Sequence, residues 1–272
     1  MVDKNKNIIN NKNGIIKEAK TMIFKALRVA PPPAKVACFK GLKGFTLAEV
    51  LITLGVIGVV AALTLPSLIS KYKEKEIITA LKKNYSIINN AIMQAVNDYG
   101  EMKYWDSASY DYVDGKGEAQ SITVNNIDIL AKYFNIAKYC GHEAKGCFSE
   151  EYTQFNGLKE RDFENLSYYN KFILADGTSI AMQGYEGETA NGEIWIDING
   201  QKRPNKIGED TFLFSITNSR LVPYNFDSIK TGKLLNKSPN GYYFSGWVLT
   251  YENMDYLHCN DLEWGKKTRC SQ

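Results

Sequence analysis

The sequence predicts an α+β protein, a long N-terminal helix packed on a C-terminal antiparallel β-sheet domain. Three observations carry that expectation. Residues 45–65 form a run of 21 with one charge, Glu49. Apolar side chains then recur at helical spacing from Leu81 to Tyr99, and beyond residue 120 short aromatic and β-branched runs alternate with Asx-Gly pairs. The composition, 44% hydrophobic and 23% charged, belongs to a chain that can bury a core rather than stay disordered.

The apolar run comes first. As a helix it rises about 1.5 Å per residue and reaches roughly 30 Å, the hydrocarbon thickness of a bilayer. Pro66 follows and removes a backbone donor, which predicts a kink or local melting at that point. Farther along, Leu81, Tyr85, Ile88, Ile92, Val96 and Tyr99 step by three or four residues and make one apolar stripe. Gly100 is the expected stop.

In the body, residues 127–134 read as a short helix. Residues 169–174, 179–183, 193–198, 211–217, 221–224 and 242–251 read as strands, each rich in aromatic and β-branched side chains. Asp176-Gly177 joins the first two as a hairpin, because glycine accepts positive φ. Asn191-Gly192, Asn199-Gly200 and Asn240-Gly241 read as further turns. The expected organisation is a basic head at 1–44, a membrane-length helix at 45–66, its amphipathic continuation at 67–100, and a globular α+β body at 101–272.

Charge is unevenly distributed. Ten Lys or Arg against Asp3 and Glu18 give residues 1–44 a net +8; the whole chain carries +3, so residues 45–272 carry −5. A basic head before an apolar run stays cytoplasmic while the acidic body crosses the membrane. A basic arm also suits nucleic acid. This one borders a membrane-length segment, and a body of net −5 argues against strong phosphate binding, which wants Lys and Arg clusters, so no nucleic acid partner is expected. The head includes Pro31-Pro32-Pro33, and Met22 offers a second start with a shorter leader.

Cys38 lies in the head; Cys140, Cys147, Cys259 and Cys270 lie in the body. Four exported cysteines suit a disulfide framework, and Cys140–Cys147 with Cys259–Cys270 is the simplest of its three connectivities. Zinc is the competing use, with only His142 and His258 as partners and without a C-x-x-C spacing.

The densest signal is Lys43-Gly44-Phe45-Thr46-Leu47-Ala48-Glu49, ahead of the apolar run. Gly44 lets a protease approach the backbone closely, and cleavage after it frees the α-amine of Phe45. A carboxylate within an apolar segment costs about 2.5–3.5 kcal/mol on insertion scales, so Glu49 calls for a partner. The terminal amine of a neighbouring copy would be one.

Gly-Phe-Thr-Leu-x-Glu, then about twenty apolar residues and Pro, resembles the processing and methylation segment of type IV pilins and type II secretion pseudopilins. The resemblance implies removal of residues 1–44 by a prepilin peptidase and N-methylation of Phe45. Glu49 would direct assembly by pairing with a neighbour's amine, and Pro66 would sit where the helix leaves the membrane. The implied partners are other pilin-like subunits in a helical filament, an inner-membrane assembly platform and the lipid bilayer. The implied location is the inner membrane, single-pass with the body exported, then a periplasmic or extracellular filament. A body of roughly 170 residues exceeds what the simplest subunits need, which points to a minor component. The alternatives are a filament-tip binding or adhesion module and a simple membrane-anchored exported domain. An ordinary secretory signal would instead be cut near Val60-Ala61-Ala62.

Residues 194–200, Pro204-Asn205 and 208–210 are similar to the globular part of some pseudopilin-like proteins. Some secretion pseudopilins hold calcium in this region of the fold, and Asp197, Asn199 and Asp210 offer the oxygens such a hard cation takes. The spacing is not that of an EF-hand loop, and the plainer reading of these residues is an Asx-rich turn between two strands, which leaves calcium as a test. No G-x-S-x-G, P-loop or HExxH occurs in the chain. His258 and Cys259 are adjacent, an arrangement in which side chains rarely face one another, so no enzyme is expected.

Overall fold

The computed structural model describes residues 45–113, 117–125, 127–185, 190–226 and 239–271. The basic head, with Cys38 and Gly44, lies outside the described residues. The chain divides after Val60 into two compact units. In the first, the described part is the beginning of helix α1. The second holds the rest of α1 and the body.

Helix α1 spans Leu47–Tyr99, 53 residues with Pro66 in its interior. The melting expected at Pro66 is not found, and Ser67 Oγ donates to the carbonyl of Thr64 within that turn. A proline costs a helix one ladder bond, and the helix continues through it, from the apolar run before Pro66 into the charged residues after it. The large apolar side chains from Phe45 to Ile69 are exposed. By length and composition this is a helix able to cross a membrane. Farther along, Leu81, Ile88, Ala91, Ile92 and Ala95 are buried, together with a polar residue, Asn84. Tyr85 and Val96 are partly covered, whereas Tyr99, expected to end the stripe, is 48% exposed.

The buried stripe packs on one face of a six-stranded antiparallel sheet: β3 (Ile136–Gly141), β4 (Asn170–Leu174), β5 (Ser179–Gly184), β6 (Ala190–Asp197), β7 (Thr211–Thr217) and β8 (Arg220–Pro223), paired in chain order. Alternation along the strands divides the apolar side chains between two cores. Phe172, Ile180, Met182, Ile194, Ile196, Phe212 and Phe214 join the α1 side. Ala181, Trp195 and Leu213 point the other way, into a second core with Phe148, Tyr152, Phe163 and Tyr169 from the β3–β4 connection. The coarse expectation, α+β with the helix on an antiparallel sheet, is what the fold has. Asn84 fixes the register of helix against sheet: its amide donates 3.1 Å to Thr178, and Lys83 pairs with Asp176 at 2.9 Å in the same β4–β5 hairpin.

Four local readings are corrected. Residues 242–251, expected as a strand, contain helix α2 (Phe244–Tyr251). Aromatic content suggested β, but Gly246 lets a helix settle against Pro223 and Phe226; a Cβ there would lie 2.9 Å from the Phe226 ring. Asn191-Gly192 is not a turn but part of β6, where the register shifts between Ala190 and Gly192. A Cβ on Gly192 would lie 2.4 Å from the Gln183 carbonyl, so the glycine marks a close backbone approach. The helix at 127–134 is a 3-10 segment, Ile127–Tyr133. Finally, β3 and a separate two-stranded hairpin, β1 (Ser107–Val113) with β2 (Ala119–Asn125), occupy stretches to which the sequence reading assigned no element.

Candidate functional site

The beginning of α1 is built by a capping box. Thr46 Oγ accepts the Glu49 amide at 3.2 Å, and Glu49 Oε2 accepts both the Thr46 amide, at 2.8 Å, and the Thr46 hydroxyl, at 2.9 Å. The reciprocal bonds satisfy donors that the helix itself leaves unpaired. Phe45 stands just outside the cap, 88% exposed. A carboxylate thus sits one turn from the position where cleavage after Gly44 would place a free amine.

A second arrangement lies at the β6–β7 connection. Asp197 and Asp210 are both fully buried. Asp197 accepts from the Tyr152 hydroxyl and, at 3.2 Å, from the Asn199 amide. Asp210 accepts from the amides of Asn205 and Lys206 at 2.8 and 2.7 Å, from Asn199 Nδ2 at 3.2 Å and from the Thr211 hydroxyl at 3.2 Å. Burial, and then the charge of Asp210, pushes the Asp197 carboxyl well above the usual carboxylate range; burial also raises Asp210. Asn199 Oδ1 and Asn205 Oδ1 are buried without a hydrogen-bond partner.

All three sequence-predicted residues, Asp197, Asn199 and Asp210, therefore come together, and they do close an Asx-rich turn. The donor set also fits a hard cation. It is all oxygen, it holds two carboxylates that disfavour each other's charge, and two amide oxygens lack donors. Asn205 is the member missed from sequence, since its place is set by Asp210 gripping its backbone amide. A bound Ca²⁺ would supply charge neutralisation and oxygen coordination. Asp210 holds the loop through four donors, leaving Asp197, Asn199 and Asn205 as the residues with acceptor capacity to spare.

The cysteines pair as Cys140–Cys147 and Cys259–Cys270. Glu164, which sequence reading passed over, braces the first loop by accepting the amides of Gly146, Cys147 and Phe148. The residues proposed for zinc have other partners: His258 meets Glu74 at 2.9 Å, and His142 meets Asp128 at 2.7 Å. Among the described residues no three His, Cys, Asp or Glu side chains converge as a metal site.

Comparison with known proteins adds one match. A family of unknown function, DUF6613, matches residues 67–237, well over half the chain. The chain belongs to the DUF6613 family. The DUF6613 match begins directly after Pro66 and takes in the amphipathic part of α1, the whole sheet and the Asp197–Asp210 turn; the apolar run lies outside it. No curated protein and no solved structure matches the chain.

Proposed function

We propose that this DUF6613 protein is a membrane-anchored, exported subunit of a type IV pilus-like or type II secretion pseudopilus filament. In this reading a prepilin peptidase removes residues 1–44, Phe45 is methylated, and Glu49 pairs with the amine of an adjacent copy. One observation carries it: an exposed apolar helix of membrane length opens on the Thr46–Glu49 cap, directly behind the Gly44-Phe45 bond. The cap uses Glu49 Oε2, and Oε1 has no partner among the described residues. That leaves one oxygen for an ammonium group.

Two further features support the reading. The amphipathic part of α1 is buried on the sheet, so the body is carried by the same helix that would anchor it. The two disulfides suit an oxidising, exported compartment.

Mass spectrometry of the protein recovered from its native membranes or filaments tests the proposal. The expected N-terminus is Phe45 carrying one added methyl, and replacing Gly44 by a bulky residue should leave the uncut chain. Recovery of Met1 would reduce the protein to a tethered domain. A start near Leu63 would make residues 1–62 an ordinary signal sequence.

A further inference from the structure

His142 lies in the loop closed by Cys140–Cys147 and is held between two oxygens. Its Nδ1 is 2.6 Å from the carbonyl oxygen of Ser167, and its Nε2 is 2.7 Å from Asp128 Oδ2. A carbonyl can only accept, and an ionised carboxylate can only accept. Although burial opposes it, hydrogen bonding from His142 helps hold Asp128 below its ordinary value, so it is the ionised form that faces the ring. Both ring nitrogens must therefore donate, which only the imidazolium does. A neutral ring has one N–H and turns a lone pair against one of the two oxygens. Neither nitrogen is left to act as a base.

Strand β1 rests on this ring. Tyr110 stacks over His142 with centroids 4.1 Å apart and planes 17° from parallel, and its hydroxyl donates 3.2 Å to the same Asp128 oxygen. A cation under an aromatic face is attracted to it, so the stack too is stronger when the ring is charged. The next two residues of β1 meet the same patch: the Asp111 carbonyl accepts from Ser167 Oγ, and Tyr112 packs edge-on against Tyr168 with centroids 4.8 Å apart. The titratable groups around the ring are Asp128 from the 3-10 segment, Tyr110 from β1 and Tyr139 from β3, which acts on Tyr110. Among the described residues the β1–β2 hairpin pairs with itself and does not join the six-stranded sheet. Isolated two-stranded hairpins are marginal in water, so this one depends on its docking contacts.

We propose that His142 is a proton-operated latch: the doubly protonated ring clamps the β1–β2 hairpin to the body through Ser167, Asp128 and Tyr110, and loss of one proton releases it. Release would uncover the Tyr110 and Tyr112 face of β1 while the disulfide loop and the sheet stay folded.

Hydrogen exchange by mass spectrometry on the full chain in detergent micelles tests this, with rates corrected for the intrinsic effect of pH. As pH is raised from acid to alkaline, protection of peptides covering residues 107–125 should fall about ten- to a hundredfold, the loss of one charge-assisted hydrogen bond. Peptides from β4–β7 should keep theirs. His142→Gln should give low, pH-independent hairpin protection. The chain has two histidines, so His258→Gln serves as the control and should retain the wild-type pH response. Hairpin protection that does not change with pH in the wild type, or a change shared equally by β4–β7, would overturn the latch. The wild-type titration decides this even if His142→Gln does not fold.

Discussion

Glu49 takes two hydrogen bonds from Thr46 on a single carboxylate oxygen, at 2.8 Å from the amide and 2.9 Å from the hydroxyl. The carboxylate thus has a local task, starting the helix, besides the intermolecular one proposed for it. Two substitutions separate the tasks. Glutamine serves in a capping box as glutamate does but carries no charge. Glu49→Gln should therefore keep the helix start, whereas Glu49→Ala should lose the two bonds by which the carboxylate caps it. Both variants should be cut at the normal site and both should be missing from sheared filaments. Immunoblots of cell and filament fractions, with intact masses, read both outcomes. A Glu49→Gln protein that assembles like the wild type would assign Glu49 to the cap alone.

The Asp197–Asp210 pair sets a pH dependence of definite sign. The folded-state carboxyls are raised above their ordinary value of 3.8, so the folded protein holds these protons more tightly than the unfolded chain. Their contribution is fully present below that value and is lost as pH rises through the raised range. Without divalent ions the melting temperature should therefore fall from weakly acid to neutral pH. Asp197→Asn should flatten the slope and raise the neutral melting temperature. Millimolar Ca²⁺ should stabilise the wild type at neutral pH, do less as acid protonates the same oxygens, and do nothing for Asp197→Asn. Thermal melts with Ca²⁺ and with chelator give the answer. A chelator-insensitive melt at neutral pH would leave the residues as a turn and nothing more.

The disulfides close short loops, with sequence separations of 7 and 11. Chain-entropy arguments assign roughly 2–3 kcal/mol to loops of this size. Paired Cys→Ser substitutions at 140/147 and at 259/270 should each lower the urea midpoint accordingly. The first pair should cost more, because Cys140 and Cys147 are buried in the second core while Cys259 is only partly covered and Cys270 lies at the rim. Non-reducing peptide maps should recover 140 with 147 and 259 with 270.

What could be read from sequence was what periodicity and local chemistry control. The spacing of Leu81, Ile88 and Ile92 marks a helix face whatever it packs on, and Asp176-Gly177 marks its hairpin because the turn needs little from elsewhere. Asn84 escaped because its burial depends on Thr178, 94 residues away. Helix α2 escaped for the same kind of reason: nothing local in residues 244–251 announces that Pro223 and Phe226 will press against Gly246. Strands β1 and β2 were passed over because their alternating positions, Ala108, Tyr110 and Tyr112 and then Ile122 and Val124, are few and set among polar residues, a weaker signal than the apolar runs farther on. At the candidate sites, Thr46 was visible in the motif, but its spacing to Glu49 spells a cap as well as a membrane charge. Asn205 became visible only once Asp210 was seen to hold its amide.

Arg161 gives the severest test of the second core. Its guanidinium lies 3.3 Å from Glu160 and 3.3 Å from Glu193, donates 2.5 Å to the Tyr169 hydroxyl, and sits over the Trp195 ring at 5.1 Å. Tyr242 donates to Glu160 at 2.6 Å, and Glu193 accepts from the Tyr169 hydroxyl and, at 3.0 Å, from Trp195 Nε1. Both carboxylates are buried, at 7% and 5% exposure. Removing the cation leaves two charges in a poorly solvated place, which costs far more than the pair contributes to stability over an apolar substitute. Arg161→Met should therefore lose about 3–5 kcal/mol at neutral pH by urea unfolding. Arg161→Lys should recover only part of it, because an ammonium cannot fork between two acids and stack on indole together. In Arg161→Met the stranded glutamates would bind protons more readily folded than unfolded, so the deficit should shrink as pH falls toward 5. A deficit independent of pH would mean that Arg161 acts through its packing on Trp195 and not through its charge.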